Sequence, residues 1–90
     1  MAARIQLTAA RSLGKLGNAA GLNGALALRH SGAPQIRALA ALALGDILAP
    51  GQDAVLVRLM KDPDERVRVA AAAAIIELHT RPRPAATRAS

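Results

Sequence analysis

Three stretches of the chain carry the same stripe of apolar positions: IQLTAARSLGKL from Ile5, IRALAALALGDI from Ile36 and VRVAAAAAIIEL from Val67. They align without gaps, each starting 31 residues after the one before. Large aliphatic side chains match at Ile5/Ile36/Val67, Leu13/Leu44/Ile75 and Leu16/Ile47/Leu78, and alanines at Ala9/Ala40/Ala71 and Ala10/Ala41/Ala72. Ser12/Ala43/Ala74 stays small throughout. Spacings of i, i+4, i+7, i+8 and i+11 fall on one face of an α-helix rather than on the alternating faces of a strand. The stripe is bulky at its ends and small in its middle, so a neighbouring helix can approach closely. The alanine run Ala70–Ala74 therefore has two effects: it favours helix and it keeps that helix thin.

Shorter apolar segments, GLNGALALRH and QDAVLVRLMK, lie between these stretches. Breakers separate all of them: Gly17, Gly21 and Gly24, then Gly32 and Pro34, then Pro50 and Gly51, then Asp62-Pro63-Asp64. Pro34 and Pro63 suit helix starts, where a missing N–H costs nothing, and Ser31 and Asp62 suit capping or turn positions. The pattern predicts five helices at about residues 3–16, 20–29, 34–48, 52–61 and 64–79. Helical hairpins at a short fixed period predict an all-α fold, an α-solenoid of about two and a half hairpins. The expected repeats are about 3–18, 20–48 and 52–79 of a domain over residues 1–80, followed by a disordered basic tail, 81–90, broken by Pro82 and Pro84.

DPDERVRVAAAAAIIEL and APQIRALAALALGDI resemble the HEAT-like repeats of the phycobilisome-lyase type, within the HEAT/armadillo α-solenoid superfamily. There a short helix and an Asp/Pro turn precede a second helix that opens Val-Arg or Ile-Arg and continues in small residues. The first copy departs from this pattern, with Gln6 at the arginine position and no short helix before it. Its apolar stripe is thus expected to be exposed, favouring self-association or docking onto a longer neighbour. The resemblance implies a structural role for the matched arginines Arg37 and Arg68, with Arg68 pairing with the turn acid Asp62. It also implies that the second helix of each hairpin lines a concave face. Arg4, Arg11 and Lys15, then Gln35, Leu42 and Asp46, then Arg66, Ala73 and Glu77 would point into it.

Composition narrows the function. There is no aromatic residue and no cysteine, so neither base stacking nor a disulfide or thiolate metal site is available, and the absence of cysteine suits a reducing, cytoplasmic setting. The net charge is +6, with five basic and no acidic side chains in residues 1–40 and Arg81, Arg83 and Arg88 at the end. Such asymmetry draws anionic partners. No apolar run approaches the roughly 20 residues of a membrane span. MAARIQLTAARSLGKLG has the composition of a transit peptide, but the repeat register assigns it to the first helix.

Candidate chemistry is sparse. GKLGNAAGLNG lacks the Ser or Thr that follows the lysine of a phosphate loop; its glycines fit helix ends better. His30 and His79 have no metal-ligand spacing around them, no hydroxyl sits in a nucleophile-elbow context, and Lys15, Asp46 and Glu77 fit solvated helix ends. No catalytic residue, metal or cofactor is expected. The expected function is a non-enzymatic scaffold that grips a peptide or another protein's acidic surface, with a homo-oligomer or a longer repeat array among its states. The alternatives are nucleic-acid backbone binding through the basic N-terminal half and tail, and an accessory role in a phycobilin-lyase-like enzyme.

Overall fold

A computed structural model describes residues 2–47 and 51–80. Over these residues the chain is all-helical, with α1 (Ala2–Lys15), α2 (Leu22–Leu28), α3 (Pro34–Asp46), α4 (Gln52–Leu59) and α5 (Glu65–Thr80), and it contains no strand. All five expected helices form, with their ends within two residues of the expected ones. The expected end of the third helix at residue 48 and the tail 81–90 lie outside the described residues.

The breakers act by identifiable means. Gly17 takes φ 83° and closes α1, with the Asn18 N–H donating to the Leu13 carbonyl and the Gly17 N–H to that of Gly14. This left-handed cap ends the helix where other residues would be strained, and it accounts for part of the glycine-rich run. Asn18 Oδ1 then accepts the Ala20 N–H at 2.8 Å, holding a turn that delays α2 until Leu22. Gly51, at φ 85°, starts α4 in the same conformational region. The entries to α3 and α5 match one another. Ser31 Oγ accepts the Ala33 N–H at 3.1 Å, and Asp62 Oδ1 accepts the Asp64 N–H at 2.9 Å. One residue after each of these acceptors' partners the helix begins, with Pro34 at the first turn of α3.

Helix α3 lies between α1 and α5, which do not meet. Helix α2 packs on α1 and α3, and α4 packs on α3 and α5. Burial follows this order closely. Side chains on the face towards the preceding long helix are exposed in α1 (Ile5, Ala9, Ser12, Leu16) but buried in α5 (Val67, Ala71, Ala74, Leu78). On the face towards the following long helix the sense reverses: Leu7, Ala10 and Gly14 of α1 are buried, whereas Val69 and Ile76 of α5 are exposed. In α3 both faces are covered, with Ala40, Ala41, Ala43 and Leu44 at 0% exposure. Matched positions thus share orientation, and their burial is set by whether a neighbouring helix stands there. The matched residues Ile5, at 64% exposure, and Val67, at 0%, show the contrast.

Two glycines set close approaches between the long helices. A Cβ on Gly14 would stand 2.9 Å from the backbone of Asp46, and a Cβ on Gly45 would stand 2.6 Å from Ala74 Cβ and 2.7 Å from its Cα. A core built largely from alanine offers little apolar area per residue. Close helix contact supplies dispersion that larger side chains would otherwise provide.

Candidate functional site

Helices α3 and α5 leave a shallow trough of about 470 Å³ between them. Ala38, Leu42, Val69, Ala70 and Ala73 make its apolar floor, and Glu65 and Arg66 stand at its rim. Leu42, Arg66 and Ala73 are three of the side chains expected to share a binding face, and the fold brings them together. Arg66 is held by Asp64, which accepts its Nη2 at 3.0 Å. Gln35 is exposed in the first turn of α3, Arg4 is exposed on α1, and Glu77 is half-buried on α5, all outside the trough lining.

Asp46 requires a correction. Expected at an open binding face, it is 1% exposed and sits between α1 and α3. Arg11 Nε reaches its Oδ2 at 2.7 Å and Lys15 Nζ its Oδ1 at 3.4 Å. A carboxylate this buried is tolerated because two cations of α1 compensate its desolvation. Arg11 and Lys15 are correspondingly engaged, although Lys15 keeps about half of its side chain exposed at 52%.

The turn acid is also reassigned. Asp62 pairs with Arg37, not with Arg68: Arg37 Nε and Nη2 donate to its two carboxylate oxygens at 2.9 and 3.0 Å. Arg68 folds back instead, its Nη1 donating to the carbonyls of Asp62 and Pro63 at 2.8 and 3.0 Å. Arg37 Nη1 makes the matching bond to the Ser31 carbonyl at 2.8 Å. Each arginine therefore braces its own entry turn. The fork of Arg37 also crosses to the next turn, where two parallel bonds fix the carboxylate's orientation.

These contacts shift the acids' titration. The Arg37 hydrogen bond holds Asp62 below the usual carboxylate range, against the opposing effect of burial. The Arg66 hydrogen bond, helped by the backbone N–H groups of Arg66 and Val67, lowers Asp64 to about 2. Depressed carboxylate pKa values contribute stability that is complete above the unfolded-state value, roughly 4, and is lost as pH falls towards the folded-state value. Thermal melts should therefore show a falling midpoint between about pH 4 and pH 2, and Asp64→Asn should flatten part of that slope. An unchanged slope in the variant would remove Asp64 from the account.

A second groove, of about 480 Å³, opens between α2 and α4, which do not touch. Arg29, His30, Arg37 and Arg58 line it with Val55 and Leu59. Sequence reasoning missed it, because Arg29 and Arg58 occupy unmatched positions in the two short helices and meet only through the fold. Between α4 and α5, His79 Nε2 lies 2.7 Å from Asp53 Oδ2. Among the described residues no three His, Cys, Asp or Glu side chains cluster as metal ligands, and no helix is long and apolar enough to cross a membrane.

The model for HEAT repeats matches residues 22–88, which is from α2 onwards and well over half of the chain. No curated protein and no solved structure matches. The match leaves out α1, the copy with Gln6 in place of the matched arginine. Paired helices, an acid or hydroxyl at each entry turn and a bracing arginine behind it agree with that match: the chain belongs to the HEAT-repeat family.

Proposed function

We infer that the chain is a non-enzymatic scaffold, a short α-solenoid with a 31-residue period whose α3–α5 face grips a segment of another protein. HEAT repeats commonly serve protein interaction, which supports the class of function. The trough between α3 and α5 is the observation that carries the site. Its floor accepts one or two aliphatic side chains of an incoming segment, and Arg66 at the rim selects acidic residues beside them. Arg4 and Lys15, exposed on α1, extend the positive field along the same row of helices and steer acidic partners more than they add affinity.

The test is a selection of random peptides against the immobilised chain. Binders should combine an aliphatic anchor with flanking acids and should weaken at least about 10-fold against Ala73→Glu, an exposed position where a carboxylate fills the trough and repels the acids. Peptides that bind the variant as well as the parent would reject the site.

A second reading, contact with a phosphate backbone, is favoured by the α2–α4 groove, where Arg29 and Arg58 converge. It requires binding that weakens steeply as salt rises and is lost in Arg29→Glu with Arg58→Glu. Salt-insensitive or absent binding of oligonucleotides would reject it. The likeness to phycobilisome-lyase repeats leaves a third role, as accessory to bilin attachment. Incubation with a bilin and an apo-phycobiliprotein tests it through covalent colour.

A further inference from the structure

We propose that copies of this chain stack end to end, the outer face of α5 in one copy covering the outer face of α1 in the next. Six large apolar side chains are exposed among the described residues, and four of them lie on these two faces: Ile5 at 64%, Leu16 at 82%, Val69 at 61% and Ile76 at 63%. The matched positions of the middle copy are half-buried at Ile36 and Ala38 and buried at Gly45 and Ile47. Ile47, which matches Leu16, is 1% exposed, and Gly45, which matches Ile76, lies against Ala74.

The two bare faces therefore correspond in position to the two sides of the contact between α3 and α5. In the α3–α5 contact, the Ala38, Ala41, Gly45 face meets the Val67, Ala71, Ala74, Leu78 face. The bare face of α5 (Val69, Ala72, Ile76) corresponds to the first of these, and the bare face of α1 (Ile5, Ala9, Ser12, Leu16) to the second. The bulk is also distributed in a complementary way. Where α3 has Gly45 against Ala74, α5 has Ile76, so stacked helices would stand farther apart than α3 and α5 do, with Ile76 over the small pair Ala9 and Ser12 between Ile5 and Leu16.

Charge agrees with the same pairing. Lys15 of α1 reaches Asp46 in the next long helix, and its side chain is still 52% exposed. In the stacked arrangement Glu77 of α5, the counterpart of Asp46, approaches Lys15 of the following copy. Opposite charges thus meet in this polarity, whereas α1 against α1 would bring together only basic side chains, because α1 carries Arg4, Arg11 and Lys15 and no acid. Because the two contributing faces differ, each contact leaves one of each kind unsatisfied, and the assembly is open-ended. The stack shares Val69 with the α3–α5 trough, whereas Ile5, Leu16 and Ile76 lie outside the trough lining.

Sedimentation velocity of the full chain from about 10 µM to about 1 mM covers the range in which weak contacts register. The weight-average mass should rise without a plateau. Leu16→Arg and Ile76→Arg each disable one end, and far-UV circular dichroism establishes that each variant stays helical. Either variant alone should remain monomeric. An equimolar mixture should form a heterodimer and nothing larger, because each variant supplies the face that the other lacks. A parent chain that is monomeric at every concentration overturns the proposal. So does a variant that still self-associates, as in a symmetric α1–α1 or α5–α5 contact, or a mixture that stays monomeric.

Discussion

Gly45→Val lowers the stability of the domain by about 3 kcal/mol, at the upper end of the range for overpacked cores. Two adjacent elements leave no room for the side chain. The position expected for its Cβ is 2.6 Å from Ala74 Cβ, 2.7 Å from Ala74 Cα and 3.0 Å from Ala74 carbonyl oxygen. None of these atoms is the free end of a flexible side chain, so α3 and α5 must separate as units, and every contact along the alanine stripe weakens with them. A loss of this size is a large share of the 5–15 kcal/mol that stabilises a typical domain.

Gly45→Ala is the more discriminating variant because two effects of opposite sign compete. Helix propensity favours alanine over glycine by at most about 1 kcal/mol, whereas even a single methyl group enters the Ala74 contact. Overpacking wins, and urea titration followed at 222 nm should give a net loss of about 1–2 kcal/mol. Gly32→Ala is the control. Nothing lies within 4 Å of its Cβ position and its backbone is free of positive φ. It should be neutral or stabilise by a few tenths of a kcal/mol through the unfolded state. A stabilised Gly45→Ala would mean that the two helices do not approach as closely as described.

How much of this was legible before any coordinates depends on the kind of contact. The long helices and their small-residue stripes followed from the spacing of Ile36, Ala40, Ala41, Leu44 and Ile47, since periodicity is a local property of the chain. The trough was legible in part, because Leu42, Arg66 and Ala73 lie on one side of helices whose register was already fixed. Burial of the outer copies was not legible in the same way: Leu16 and Leu78 match perfectly, yet one is 82% and the other 5% exposed, because exposure depends on neighbours and not on the residue. The ion pairs were hardest. Arg37 and Asp62 are 25 residues apart and Arg11 and Asp46 are 35 apart, so neither pairing is a local property of the chain, and the repeat resemblance assigns the turn acid to the nearer Arg68. One signal was available. Lys15 and Asp46 occupy the same position in successive copies with opposite sign, and helices stacked in register bring such positions together.

Removing the cation from the buried pair should cost more than removing the anion. Arg11→Met keeps the length and packing of the side chain but leaves the Asp46 carboxylate, only 2% exposed, with the more distant Lys15 at 3.4 Å. An under-compensated buried charge costs about 3–5 kcal/mol in a fully buried pair. Because Arg11 is 32% exposed and Lys15 persists, about 2–3 kcal/mol is expected here. Asp46→Asn should cost less, about 1 kcal/mol, since the charge left behind belongs to Arg11, which can turn towards water. The double variant should be more stable than Arg11→Met alone, because neutralising residue 46 removes the buried charge that Arg11 no longer compensates. A surface ion pair would behave differently, with both single variants near 0–1 kcal/mol and additive in the double. Salt separates the two cases again: 1 M sodium chloride screens an exposed pair strongly but leaves a buried one largely intact. The ordering of the three variants by denaturant midpoint, at low and at high salt, therefore tests whether Asp46 holds α1 to α3 from inside the interface or merely decorates its edge.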